Sequence, residues 1–383
     1  HFFWFRLYLP VYAVGMVWFL WTKRNTIRLI PVPVWLMAAF GIYAAISALW
    51  TSANAQTITR LAMLFSSFFI SGAIYFTSTD RQTLSQYLLA VFILFIISEL
   101  IAFWEISTGA HLHTSRLLTV PFTTWHEPNT PFGSDPATAW YYNRNGFSLF
   151  LGLAVGPLLA FTLRSGKRFY FRIFTFASII FAAAIIYNNG TLSVLLMLLA
   201  TSGVVFALIL LQSRFRSQLQ SQNHAITVVL LVFLAAIVSM AVVVTVPNPF
   251  TRGTSLWTRY QLGIAGIELF FQSNGLGVGI GGFFTSIKSL SVPTSGKRAP
   301  HNWLISIISE FGIIGGLLFL SSYARILYDV GMKYIIDDDV IALGLTGTMV
   351  ALPVGALGLA NALYSSHLFW IYIAFAAAIT YNT

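Results

Sequence analysis

No cysteine occurs in the 383 residues, and charged side chains make up only 8% of them. The first absence excludes a disulfide framework, a cysteine-ligated zinc site and a thiol nucleophile. The second excludes a chain that faces water on all sides, because soluble domains carry roughly 25% charged residues. Acids are scarcest: 11 Asp and Glu stand against 21 Lys and Arg, a net charge of +10. In a soluble protein that excess would point to nucleic acid. In a chain this apolar it points to anionic lipid headgroups or a phosphorylated lipid, with no nucleic-acid partner. Regular alternation of apolar and polar residues is also missing, which excludes a β-barrel. No internal repeat or low-complexity tract appears.

What the sequence has instead is hydrophobic mass. Hydrophobic residues make up 57%, with 34 Phe, 16 Tyr and 11 Trp, as expected where rings line both bilayer interfaces. A spanning helix needs roughly 20 mostly apolar residues. Such runs fall at 2–21, 31–50, 58–77, 84–104, 146–163, 169–187, 191–211, 225–246, 303–323, 340–361 and 367–381. The expected fold is therefore all-α: one polytopic transmembrane domain, 1–383, crossing the bilayer about eleven times.

Orientation follows from the basic residues in short loops. Lys23, Arg24 and Arg28 follow the first span, Arg81 the third and Arg164, Lys167, Arg168 and Arg172 the fifth. Arg214 and Arg216 follow the seventh, and Arg325 and Lys333 the ninth. Every second loop is basic and so is expected in the cytoplasm. The first span then starts outside, and the chain opens on His1 rather than Met. A preceding helix would account for this, making about twelve spans in all; a cleaved signal peptide is the alternative.

Two expected outer segments break the pattern. Residues 105–145 hold His111, His113, Arg116, His126, Glu127, Asp135 and Arg144. Residues 247–302, the large outer loop between spans eight and nine, hold Arg252, Arg259, Lys288, Lys297 and Arg298 against the one acid Glu268. Longer loops tolerate such charge; cations gathered for an anionic substrate are the other reading.

Within the large loop, Trp257, Tyr260, Ile264, Ile267 and Phe271 recur at helical intervals. They predict an amphipathic helix over 257–272 that lies along the membrane interface. Five glycines follow in Gly275-Leu276-Gly277-Val278-Gly279-Ile280-Gly281-Gly282. Such a tract lets backbone approach a ligand or another helix closely, and a phosphate-cradling nest is one such use. No strand precedes it, so a dinucleotide fingerprint is excluded. Pro300-His301-Asn302-Trp303 opens the ninth span, with Glu310 two turns further in. His301 is placed either to act as a general base or to bind a headgroup. Glu310 is costly within a span unless it faces protein or water, and a structural and a catalytic role are both open to it.

In order, Arg259, a helix, Leu276-Gly277-Val278-Gly279-Ile280-Gly281-Gly282-Phe283, His301-Asn302-Trp303-Leu304 and Glu310-Phe311-Gly312-Ile313-Ile314-Gly315 resemble the O-antigen ligase and O-antigen polymerase family. Asn143-Arg144-Asn145-Gly146-Phe147 is similar to that family's Asn-Pro-Asn-Gly-Phe element, with Arg in place of Pro. The resemblance implies a C-type membrane glycosyltransferase of the bacterial inner membrane, with its active site facing the periplasm or exterior. Its donor would be a glycan on undecaprenyl diphosphate, its acceptor a hydroxyl of a glycan, lipid or protein, and it would use neither cofactor nor metal. By position, His301 would deprotonate the acceptor and Arg259 would contact the diphosphate; Asn302 and Glu310 fall in the same matched stretch. Where family ligases carry Ser-Arg-Gly in a short outer turn, this chain reads Tyr187-Asn188-Asn189-Gly190-Thr191. A second cation must then come from elsewhere. Arg144 is the first choice, with Arg116, Arg252 and Arg298 behind it and Lys297 beside them.

The physical chemistry agrees with that division of roles. A diphosphate leaving group needs fixed cations where charge develops, and guanidinium forks hold phosphate oxygens bidentately. No Asp-x-Asp in the outer segments offers to hold a divalent ion. A polysaccharide or lipid transporter or flippase is the competing class, but its charges should lie near the midplane of several spans. A non-catalytic scaffold would give no reason for cations and histidine to gather.

Overall fold

The computed structural model describes residues 30–51, 54–115, 136–141, 143–164, 169–215, 255–290, 302–356 and 366–382. Among these the protein is all-helical: α1 Val32–Ile46, α2 Asn54–Thr77, α3 Arg81–Thr108, α4 Arg144–Arg164, α5 Phe169–Asn188, α6 Leu192–Phe215, α7 Ser255–Gln272, the short α8 Gly282–Ser286, α9 Trp303–Asp337, α10 Val340–Ala356 and α11 His367–Tyr381. Among the described residues seven stretches are long and apolar enough to cross a bilayer, and α10 and α11 are shorter apolar helices. The protein is a polytopic membrane helix bundle. Nine of the expected spans coincide with helices. The spans expected at 2–21 and 225–246 lie outside the described residues.

Two boundaries differ from expectation. α3 runs to Thr108, which brings Glu105 onto the helix. α9 continues to Asp337, so Arg325 and Lys333 sit on helix rather than in a loop. Nothing but Gly331 interrupts helical propensity there, and Lys333 pairs with Asp337 at 3.7 Å, one turn on.

The chain divides into two compact units. The first comprises 1–79, 247–326 and 360–383, and the second 80–246 and 327–359. In the first, an aromatic core binds α1, α9 and α11: Phe40 meets Phe311 at 5.3 Å and Phe319 at 5.4 Å, edge to face. Polar side chains tie helix ends here, with Ser322 donating to the Pro33 carbonyl and Asn382 to that of Ser78.

In the second unit, α10 packs on α4 and α6 through small residues. A methyl group at Gly156 would lie 2.1 Å from Thr348 Oγ1, and one at Gly344 would lie 2.5 Å from Pro157. Lipid offers no hydrophobic force between helices, so close backbone approach supplies the attraction. Polar side chains mark both ends. At one end Arg81 pairs with Asp339 at 3.2 Å, and Arg164 pairs with Asp338 at 3.5 Å. Gln212 joins them, accepting from Arg164 and Tyr334 and donating to Asp338. The starts of α3 and α10 and the ends of α4, α6 and α9 therefore meet, as the alternation of basic loops requires. The opposite end gathers Glu105, Asn143, Asn189 and Thr191.

Candidate functional site

The first unit holds the glycine tract. Positive φ angles at Gly275, Gly277, Gly279 and Gly281 (+77°, +83°, +80° and +76°) fold it into a strap. α9 breaks at Gly312, whose φ of 62° and ψ of −158° leave the helical region. A break within a span frees backbone groups that lipid cannot satisfy. The strap satisfies them. Val278 N donates to Ser309 O and Gly279 N to Glu310 O, both at 2.9 Å, while Ile313 N donates to Gly275 O at 2.9 Å. On its other side Ile280 N donates to Ser47 Oγ at 3.0 Å, Trp50 Nε1 to Gly277 O at 3.1 Å and Tyr43 OH to Leu276 O at 3.3 Å.

Of the uses the sequence left open for this tract, the close approach to another helix is the one seen. Every backbone N–H from Gly275 to Ile280 is consumed within the protein, Gly277 N by Ser273 Oγ at 2.9 Å. Those donors are not available as a phosphate nest. The strap is a backbone clasp across a broken helix.

α7 carries Arg259. Its buried stripe is Thr258, Leu262, Ala265 and Leu269; the last three pack on Phe283 and Ile287 after the strap. The apolar stripe legible in the sequence is largely the other face: Tyr260, Ile264, Ile267 and Phe271 are exposed, while Trp257 and Arg259 are half-buried. The helix is thus apolar on two sides, one for protein and one turned away from it. Two contacts orient it. A methyl at Gly266 would lie 2.3 Å from Ile305, and Gly275, just past its end, bonds Ile313. α7 and the first half of α9 therefore run in the same direction, and Arg259 lies at the same end as Asn302.

Asn302 caps α9: its Oδ1 accepts from Leu304 N at 2.9 Å and from Ile305 N at 3.3 Å. That carbonyl oxygen is spent on the helix. Glu310 is buried at 3% exposure on the last turn before the break. His301, Lys297, Arg298, Arg252 and Arg116 lie outside the described residues.

Arg144 belongs to the second unit, at the start of α4. The motif around it has structural duties: Asn143 Oδ1 accepts from Gly146 N at 2.8 Å, an N-cap, and Phe147 is fully buried. Tyr141 stacks on Phe147 and Phe150, at 5.9 and 5.7 Å, and burial pushes its phenol above the usual range. Just before it, Thr138 N and Ala139 N donate to Glu105 Oε2 at 2.7 and 2.8 Å. Asn189 binds Ala137 through both backbone groups, at 2.8 and 3.0 Å, and also reaches Ser148.

The chain is similar to the teichuronic acid biosynthesis protein TuaE of Bacillus subtilis (strain 168). The identity is 24% over 295 residues, covering 75% of this chain and 58% of that protein. The chain thus spans little more than half the length of the curated relative it matches. No family model matches.

Several residues escaped the sequence reading. Ser47, Trp50 and Ser273 hold the strap, and Glu105 and Asn189 hold the segment before Arg144. The glycine density signalled a close approach but not its target. Glu105 sat one residue past an expected span end, where an acid reads as an ordinary loop charge.

Proposed function

We propose that the chain is a membrane glycosyltransferase of surface polysaccharide biosynthesis, acting as a polymerase or ligase. It moves a glycan from undecaprenyl diphosphate to an acceptor hydroxyl at the outer leaflet of the bacterial inner membrane. His301 takes the hydroxyl proton, and the acceptor oxygen attacks the anomeric carbon. The bond from that carbon to the diphosphate breaks, and the leaving group departs with its electron pair, stabilised by Arg259. Arg144, in the second unit, is assigned to the anionic donor as well. The single observation behind this reading is the common direction of α7 and the first half of α9. It sets Arg259 at the end where Asn302 begins α9, next in sequence to His301. The similarity to TuaE, a protein named for teichuronic acid biosynthesis, supports the same class.

The test is transfer itself. The purified chain, given an undecaprenyl-diphosphate-linked glycan and an acceptor, should lengthen or transfer the glycan and release undecaprenyl diphosphate. No product from any lipid-diphosphate donor would reject the reading. Arg259→Lys should raise the donor KM about tenfold or more, because an ammonium loses the bidentate fork; an unchanged KM would place Arg259 outside the donor site. Turnover should survive EDTA, since cations and not a carboxylate cage are assigned to the leaving group. Loss of turnover in EDTA that magnesium or manganese restores would contradict that assignment.

A further inference from the structure

Two buried side chains in the second unit grip one short segment, and that segment leads directly to Arg144. Glu105, on α3, is fully buried and accepts the N–H groups of Thr138 and Ala139 on one carboxylate oxygen; the Thr138 hydroxyl donates to the other at 3.4 Å. Asn189, fully buried at the turn between α5 and α6, takes Ala137 by both its N–H and its C=O, as a neighbouring strand would. Its amide also donates to Ser148 Oγ at 3.1 Å, and Thr191 donates to that hydroxyl at 3.2 Å, which pins α4 one turn past Arg144.

The backbone is strained at the residue where the Glu105 grip ends. Ala139 has a φ of +45°, in the left-handed region that a residue with a Cβ avoids. Such strain persists only where surrounding contacts over-determine the conformation, and it gathers at ligand clamps. Here the over-determining contact is the Glu105 carboxylate on Ala139's own N–H. A loop with no task beyond connecting helices would relax to an ordinary turn, or carry glycine at that position. The turn that supplies Asn189 is also the one that lacks a cation in Tyr187-Asn188-Asn189-Gly190-Thr191.

We propose that Glu105 and Asn189 are positioning residues for Arg144, which contacts a phosphate of the lipid-linked donor. This rests on the reading of the chain as a glycan transferase. The short turn between α5 and α6 brings no charge of its own; it fixes the segment that delivers one. Removing either grip frees the segment before α4 and disperses the Arg144 guanidinium over positions where its fork no longer meets phosphate oxygens.

The experiment is a pair of double-mutant cycles on the full chain in detergent, read as donor KM and kcat with an undecaprenyl-diphosphate-linked glycan. Arg144→Ala should raise the donor KM about tenfold or more, the worth of a charge-assisted hydrogen bond. Glu105→Gln and Asn189→Ala should each raise it several-fold with kcat nearly unchanged. In the Arg144→Ala background neither should raise KM further, because each acts through that side chain. A merely structural residue would multiply its effect with that of Arg144→Ala, and that outcome overturns the proposal; so does a wild-type KM in both single variants. If Arg144→Ala itself matches an active wild type, the donor contact is overturned while the transferase reading stands. If the wild type transfers nothing, the broader reading falls instead. Glu105→Gln keeps shape and one acceptor, so its cycle remains readable should Asn189→Ala fail to fold.

Discussion

Gly277→Ala should destabilise the protein by about 2–5 kcal/mol, a loss measurable as a lower thermal midpoint and a poorer yield of monodisperse protein. Two effects add. At φ +83° an alanine sits in the left-handed region, which costs roughly 1–2 kcal/mol. Its Cβ would also lie 2.5 Å from Glu310 O and 2.6 Å from Gly312 N. These are backbone atoms, which cannot rotate away as a side chain would. Relief requires the strap to lift from α9, and lifting breaks the bonds from Val278 and Gly279 to Ser309 and Glu310. Overpacking of this kind costs typically 1–3 kcal/mol, within a total stability of about 5–15 kcal/mol. Gly316→Ala is the control, since nothing beyond its own stretch of helix lies within 4 Å of its added methyl. If Gly277→Ala melts with Gly316→Ala, the strap is not a clasp.

His301→Ala should reduce transfer about 10²–10⁴-fold, the usual worth of a general base, while leaving the thermal midpoint in place. The acceptor hydroxyl keeps its proton until a base takes it as the new glycosidic bond forms. Cations at the leaving group do not replace that function, because they stabilise charge at the other side of the anomeric carbon. Glu310, the acid nearest in sequence, is buried beside the helix break and follows His301 by nine residues. The decisive comparison is single-turnover transfer with saturating donor, wild type against His301→Ala. Near-normal rates would remove His301 from the chemistry. A parallel loss of folded protein would make it a structural residue.

Helices were readable from the sequence wherever hydropathy alone determines them. α5 and α6 match their expected spans closely because lipid demands a continuous apolar run and the polar turn at Asn188-Asn189-Gly190 ends it. α9 was not readable at full length. Arg325 and Lys333 look like loop charges, and composition does not distinguish a loop from a helix that continues beyond the apolar layer. Of the candidate site, Arg259, the glycine tract and Asn302 were legible as residue types in order, but not that the tract clasps a broken helix and Asn302 caps one. The strap's partners lie on α1, just past its end and on α9, and two of Glu105's partners, Thr138 and Ala139, lie more than thirty residues on. Long-range backbone capture leaves no periodic trace. The amphipathic pattern of α7 showed its exposed stripe more plainly than its buried one, since Thr258 and Ala265 do not stand out as apolar anchors.

The clasp also dictates an order of assembly. Synthesis proceeds from the N-terminus, so Ser47 and Trp50 leave the ribosome 233 and 227 residues before their partners Ile280 and Gly277. α1 must enter the bilayer with those groups still awaiting the strap, and the strap must then wait for Ser309 and Glu310. Contacts this distant in sequence close slowly. The clasp consequently closes late, and a chain damaged there should still insert its early helices and fail only when α9 is to be secured.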